Sequence, residues 1–327
     1  MAAGHPVLVF GCANIGKSYE TKESVVKLLK ELEACGINHL DTAARYPPTS
    51  PGLSEKLLGE ARAGHENFVI DSKILISGDG KGSLTKEAIQ KSLTNSLATL
   101  GVNKLRTLYC HAPDVQTPIE EQAAAFDQQY KEGKFTDLGV SNFTIEMLEK
   151  WFEIADEHGY IKPTFYQGQY NLVCQGYAHK LIPFLKKNNV HFAAFGPLAG
   201  GFLTGKLTPN ADPKTLVGTR FEVADDNPFG KAARHWYDKP SMHLVNEKLK
   251  ALSESSGVPM EGLALRWIAY HSALTPDDYV LLGASKPEQV AKATGHINSG
   301  PLDGTIVKQL NDLWAICALD AQDIVAY

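Results

Sequence analysis

A chain of 327 residues, 43% of them hydrophobic and 21% charged, can bury a sizeable core without disulfides or a structural metal. Its formal net charge of −5 and the lack of a long Lys/Arg run argue against nucleic acid as a partner. No apolar run is long enough to span a bilayer, and no basic flank with a cleavage pattern marks a signal peptide, so no membrane partner is expected.

In chain order, short β-branched or aromatic runs alternate with longer amphipathic ones. Residues 8–12 read as a strand and 24–35 as a helix, with apolar Val25, Leu28, Leu29 and Leu32 on one face and Gly36 closing it. A strand at 37–41, a helix at 54–62, a strand at 67–73 and a helix at 85–100 stopped by Gly101 follow. The pattern repeats with strand 105–110, helix 118–131 opened by Pro118, strand 136–140 and helix 144–158. Strand 164–169, helix 177–188 and a seventh strand at 190–195 come next. A long Gly/Pro-bearing insert then precedes helices at 242–255 and 260–270, an eighth strand at 279–282, and closing helices at 287–295 and 303–319. Eight strand–helix units predict a parallel α/β sheet closed into a (β/α)8 TIM barrel, one domain over residues 1–327, with a long insert after strand seven. An open α/β sheet with a helical tail is the alternative.

The five cysteines (Cys12, Cys35, Cys110, Cys174, Cys317) are scattered and form no C-x-x-C, so they read as reduced thiols in the cytoplasm, with no metal site. The sequon at Asn142–Thr144 is read as a chance match.

On a barrel, chemistry belongs at the C-terminal ends of the strands. The polar residues there are Asp41, Lys73, His111, Ser141, Asn142, Gln167 and those of the loop 196–206. Each has a plain reading: a turn cap, a surface lysine, a packed imidazole. Asp, Lys and His at three successive strand ends, with Tyr46 just past the first, favour a common purpose. Reducing a carbonyl needs an acid for the developing alkoxide. A tyrosine serves if a neighbouring ammonium lowers its pKa and a carboxylate holds that ammonium; a neutral histidine can orient the carbonyl.

These residues lie in DTAARY (41–46), SEKLLGE (54–60), IDSKI (70–74), LYCHAPD (108–114), GVSNF (139–143), YQGQYN (166–171), GPLAGGFLTGK (196–206), LALRWIAYHS (263–272) and LGASKPEQV (282–290). Through them, along almost its whole length, the chain resembles the aldo-keto reductases, the aflatoxin-aldehyde reductase group most closely. The resemblance implies reduction of an aldehyde or ketone by NADPH, with Tyr46 as proton donor, Asp41 and Lys73 tuning it, and His111 orienting the substrate. It also implies that Ser141, Asn142 and Gln167 hold the nicotinamide end. Gly196, Pro197, Leu198, Gly200, Gly201 and Lys206 would line the pyrophosphate, and Arg220, Ser285, Lys286 and Gln289 the adenosine 2′-phosphate. A homodimer is compatible with it.

Departures carry information as well. Ala293 stands where the family has asparagine, which removes one adenine contact. Relatives that reduce semialdehyde acids use basic residues in the insert and at the C-terminus. Arg234 aligns with the first and is the candidate substrate contact, but the chain ends Asp323-Ile324-Val325-Ala326-Tyr327, so a carboxylate-bearing substrate is not expected. Phe221, Phe229, Trp236 and Tyr237 of the insert read equally as pocket walls or as lid packing. GGFLTGK at 200–206 approaches a Walker A loop, but Leu207 replaces the magnesium-binding Ser/Thr. Gly78–Gly82 reads as a surface turn, and no Rossmann fingerprint is present. Two competing functions stay open: an NADP(H)-binding regulatory subunit resembling potassium-channel β subunits, with residual reductase activity, and another barrel enzyme such as a phosphate-sugar isomerase.

Overall fold

The structure is a computed structural model that describes residues 4–325 apart from 66, 77, 225 and 226, and apart from the side chains of 228 and 229. Eight strands form a closed parallel barrel: β1 (Val7–Gly11), β2 (His39–Asp41), β3 (Val69–Lys73), β4 (Leu105–Cys110), β5 (Phe135–Ser141), β6 (Phe165–Gln169), β7 (His191–Phe195) and β8 (Tyr279–Leu282). Closure rests on β1 and β8, which pair from Val7 opposite Tyr279 to Phe10 opposite Leu282. The open-sheet alternative is thereby set aside.

The outer ring begins with α1 (Lys22–Ala34), α2 (Leu53–Glu60), α3 (Lys86–Leu100), α4 (Ile119–Lys131), α5 (Ile145–His158) and α6 (Leu181–Lys187). Thr21, Thr85 and Thr144 cap α1, α3 and α5 by accepting the third backbone N–H, and Gly101 and Gly159 take left-handed conformations where α3 and α5 stop. The predicted helix at 177–188 is instead a 3-10 turn at Gly176–Ala178 followed by α6. Pro183 has no N–H to donate backwards, so the helix starts late enough to hold it in the first turn. Between β7 and β8 run α7 (Pro228–Tyr237), α8 (Pro240–Ser256) and α9 (Met260–Tyr270). α7 lies inside the Gly/Pro-bearing insert, where no helix is predicted, although Pro228 at its first position is a start signal. After β8, α10 (Glu288–Asn298) packs between α9 and α1, and α11 (Gly304–Cys317) lies on α8.

Most of the core lies between strands and helices. The barrel interior is narrower and more polar: Val9, Ala193 and Leu281 pack there with Phe195 and Tyr279. His39, Asp41, Asp71, Lys73 and Gln167 are buried as well. No described helix is long and apolar enough to cross a membrane. Among the described residues, no group of three His, Cys, Asp or Glu could hold a metal ion.

Candidate active site

Parallel strands in register bring their last residues to one rim. Asp41 ends β2 and Lys73 ends β3; Lys73 Nζ donates to Asp41 Oδ1 at 2.5 Å and to the Thr42 carbonyl at 2.8 Å. Across the barrel, Gln167 Nε2 donates to Asp41 Oδ2 at 2.7 Å. Beyond β2 the chain turns tightly, with Tyr46 N bonded to the Ala43 carbonyl at 2.9 Å and Ala44 N to the Lys73 carbonyl at 3.2 Å. The Tyr46 ring therefore lies 5.2 Å from Lys73 Nζ and meets the His111 ring edge-on at 5.6 Å between centroids.

The helix motif SEKLLGE supports this rim from outside. Buried Ser54 bonds Thr42 Oγ1 at 2.9 Å and the Cys12 carbonyl at 3.2 Å, and buried Glu55 accepts from Ser72 at 2.6 Å. Tyr109, which sequence reading passed over, gives Lys73 a second aromatic face at 5.5 Å. It fits only because residue 139 is glycine, where a Cβ would come within 2.2 Å of the Tyr109 ring. Its position two residues before His111, which directly follows β4, was the available signal.

The electrostatics follow from burial and this one ion pair. For Lys73, burial pulls the pKa down, but the charge and hydrogen bond of the Asp41 carboxylate prevail and raise it. Burial pushes the Asp41 carboxyl up, against the Lys73 ammonium and the Gln167 amide. At 2.5 Å with a second acceptor on the ammonium, we read the pair as ionised. Burial also raises Tyr46, and this corrects the expectation of a lowered phenol: Lys73 pulls downward, but Asp41 offsets part of its charge and desolvation wins. His111 is lowered to about 3, first by burial and then by the charges of Lys73 and Arg45, so its ring is neutral. Its Nδ1 is buried with no partner among the described residues.

The remaining candidates occupy the rim from β5 to β8. Ser141 ends β5, and Asn142, at φ 62°, turns its amide onto Ser141 Oγ (3.1 Å) and the His111 carbonyl (3.4 Å). After β7, Gly196, Gly200 and Gly201 take φ values of 67°, 67° and 102°, a backbone only glycine adopts freely. Asn171 pins this loop by donating to the Gly196 carbonyl at 2.9 Å. A Cβ at Gly201 would stand 4.0 Å from the Phe221 ring, an ordinary van der Waals contact, so it is the backbone conformation that calls for glycine here. Pro197 is buried and Leu198 half-buried beside it, while Lys206 is exposed. Half-buried Arg220 lies over Gly200, whose Cβ would stand 3.6 Å from Arg220 Cδ. At the β8 end, exposed Gln289 Oε1 accepts from Ser285 N (2.8 Å), Lys286 N (3.2 Å) and Ser285 Oγ (3.3 Å). Left-handed glycine backbone with Arg220 over it, and exposed Lys206 and Lys286 in the segments after β7 and β8, suit an extended, phosphate-bearing dinucleotide.

The insert is a lid whose aromatics mostly pack inward. Tyr237 stacks on Phe202 at 5.4 Å and accepts from Gln169, Phe221 is buried, and Trp236 is half-buried; the Phe229 side chain lies outside the described residues. Arg234 spends its Nε on the Phe221 carbonyl at 2.9 Å and faces Asp238 at 3.5 Å.

Residues 7–315 match the aldo/keto reductase family. The chain is 33% identical over 328 residues to the oxidoreductase sirO of Leptosphaeria maculans, covering 97% of this chain and 96% of that protein. It is 33% identical over 323 residues to aflatoxin B1 aldehyde reductase member 2 of Rattus norvegicus, covering 96% of this chain and 86% of the rat protein. Against the Homo sapiens protein of the same name, identity is 33% over 320 residues, with 95% and 87% covered. The glycerol dehydrogenase AKR11B4 from Gluconobacter oxydans superposes with a TM-score of 0.75 over 95% of this chain and 92% of that one; at 24% identity this speaks for the fold.

Proposed function

The chain belongs to the aldo/keto reductase family, oxidoreductases of carbonyl compounds, and from that premise we propose an NADPH-dependent reductase that converts aldehydes or ketones to alcohols with Tyr46 as proton donor. The observation that carries this reading is the meeting of a protonated phenol, a buried ion pair and a neutral imidazole on one rim. A bound nicotinamide supplies the hydride that reduces the carbonyl carbon. His111, neutral, donates one ring N–H to the carbonyl oxygen and orients it. Tyr46, kept protonated by its raised pKa, gives its proton to the oxygen as negative charge develops there. Lys73, whose Nζ lies 5.2 Å from the Tyr46 ring centre, then stabilises the new phenolate, and Asp41 keeps that ammonium in place.

Ser141, Asn142 and Gln167 would hold the nicotinamide end, and Gly196, Pro197, Leu198, Gly200, Gly201 and Lys206 the pyrophosphate. Arg220, Ser285, Lys286 and Gln289 would take the 2′-phosphate, the basis for preferring NADPH over NADH. Arg234, with Nε and Nη1 engaged within the lid, would meet the substrate through its remaining Nη2 donors. The aldehyde reductases among the relatives favour aldehydes as substrates, and five free thiols favour the cytoplasm.

Nicotinamide oxidation by the purified protein over aromatic aldehydes, quinones and ketones, with NADPH and NADH side by side, tests the reading. Tyr46→Phe should bind NADPH as the wild type does while turnover falls roughly 10²–10⁴-fold. Wild-type turnover in that variant would refute it.

A further inference from the structure

Helix α2 opens on Gly52, which has no side chain to cap it, so its first N–H groups turn to the loop before it. Ser54 spends its own on the Tyr46 carbonyl at 3.0 Å. Its side chain is fully buried, and the hydroxyl makes two further bonds, at 2.9 Å to Thr42 Oγ1 and 3.2 Å to the Cys12 carbonyl. One residue of the outer ring thus holds the residue after β1, the residue after β2 and the proposed acid.

The direction of the hydroxyl bonds follows from valence. A carbonyl only accepts, so the Ser54 proton goes to Cys12, and the Thr42 hydroxyl donates to Ser54 Oγ. Thr42 Oγ1 has no other partner among the described residues. Thr42 N is fixed as well, to the Asp71 carbonyl at 2.9 Å, and the Thr42 carbonyl meets Lys73 Nζ at 2.8 Å. An ammonium has three donors; here Asp41 takes one at 2.5 Å and the Thr42 carbonyl a second. Held by Asp41 alone, the ammonium would swing about that one bond, and the Tyr46 ring centre is 5.2 Å away. Two acceptors in different directions fix its place. We propose that Ser54 is a positioning residue of the reductase: through the Thr42 hydroxyl it fixes the carbonyl that holds the Lys73 ammonium beside Tyr46. This rests on the Tyr46 chemistry proposed above. Because Ser54 acts through Thr42, its loss should move the chemical step and leave cofactor binding alone.

The test uses the full chain with NADPH and an aromatic aldehyde, and follows a single turnover so that product release does not mask the chemistry. Ser54→Ala should slow hydride transfer about 5- to 10-fold, the size of one lost hydrogen bond, with the NADPH Kd unchanged. The alkaline limb of the rate should move to higher pH, because a displaced ammonium stabilises the phenolate less. Thr42→Val should match Ser54→Ala, whereas Thr42→Ser, which keeps the hydroxyl, should stay near wild type. The double variant Ser54→Ala/Thr42→Val should be no slower than either single one. Additive losses would mean two independent roles and overturn the proposal, as would a lower melting temperature with the rate and the alkaline limb unmoved. If Ser54→Ala does not fold, Thr42→Val against Thr42→Ser decides by the same readouts. If wild type transfers no hydride to any aldehyde, the reductase reading fails by itself. The Lys73 ammonium resonance in protein with isotope-labelled lysines, assigned by its absence from Lys73→Arg, then decides. Its displacement in Thr42→Val but not in Thr42→Ser supports the positioning role, and a resonance unmoved in both overturns it.

Discussion

Strands β2 and β3 each carry two buried ionisable residues two positions apart, and the two layers they form differ. In the lower layer, His39 bonds Asp71 at 2.7 Å, Thr107 N donates to Asp71 Oδ1 at 2.9 Å, and Arg106 reaches Asp71 at 3.4 Å. Arg106 also donates to Tyr279 at 2.5 Å and lies 4.6 Å over the Phe165 ring. Burial would raise the Asp71 carboxyl, but His39 and Arg106 hold it below its ordinary value. In the upper layer, Asp41 is equally buried and yet shifts upward, with one ammonium and one amide against desolvation. There the His111 Nδ1 and the Arg45 guanidinium are left without protein partners among the described residues. Burial and charge are common to both layers; incomplete pairing marks the upper one as the place for a ligand.

The largest expected effect comes from matched substitutions, one per layer. Lys73→Met leaves Asp41 buried and unpaired, so it should cost about 3–5 kcal/mol of stability as well as roughly hundredfold in turnover. Arg106→Met should lower the melting temperature, by about 2 kcal/mol of stability, while turnover per folded molecule is retained. Calorimetry beside steady-state rates checks both; loss of turnover in Arg106→Met would erase the distinction between the layers.

The layers should also separate in acid. A histidine whose folded pKa is about 3, against 6.5 unfolded, contributes stability that is whole above pH 6.5 and drains as pH falls toward 3. Asp71, lowered from 3.8, contributes stability that is whole above 3.8 and is lost only as pH falls through its depressed value. Urea unfolding at stepped pH should thus show a first loss below 6.5 that His111→Gln removes, and a later one that Asp71→Asn removes. In the reductase assay His111 gives no limb near neutrality. Activity falls only on the alkaline side, above the ordinary tyrosine value of 10, where Tyr46 gives up its proton. The smallest effect is at Tyr19, whose buried hydroxyl has no partner among the described residues. Tyr19→Phe should be neutral or stabilising by less than about 1 kcal/mol in the same unfolding assay.

The positions of Asp41, Lys73 and His111 were legible because strands have a period of two and end in turns, so local pattern alone places their last residues on one rim. Tyr46 was legible through its motif, and the eight strand–helix units through periodicity. The split before α6 and the helix α7 are not predicted at this level, because Pro183 and Pro228 each act through one missing backbone N–H that hydrophobic spacing does not register.

Other features depended on groups far apart in the chain. Barrel closure needed β1 to find β8 some 270 residues later, which no local pattern encodes. The upward shift of Tyr46 and the downward shift of His111 are sums over desolvation and charges from several strands, so their signs appear only once the chain is folded. The engagement of Arg234 within the lid and the lack of a partner for Arg45 are likewise facts of packing. Sequence alone determined which residues reach the rim, because that depends on neighbours in the chain. Tertiary structure decided which of them remain unpaired there, because hydrogen-bond partners and burial come from residues distant in sequence.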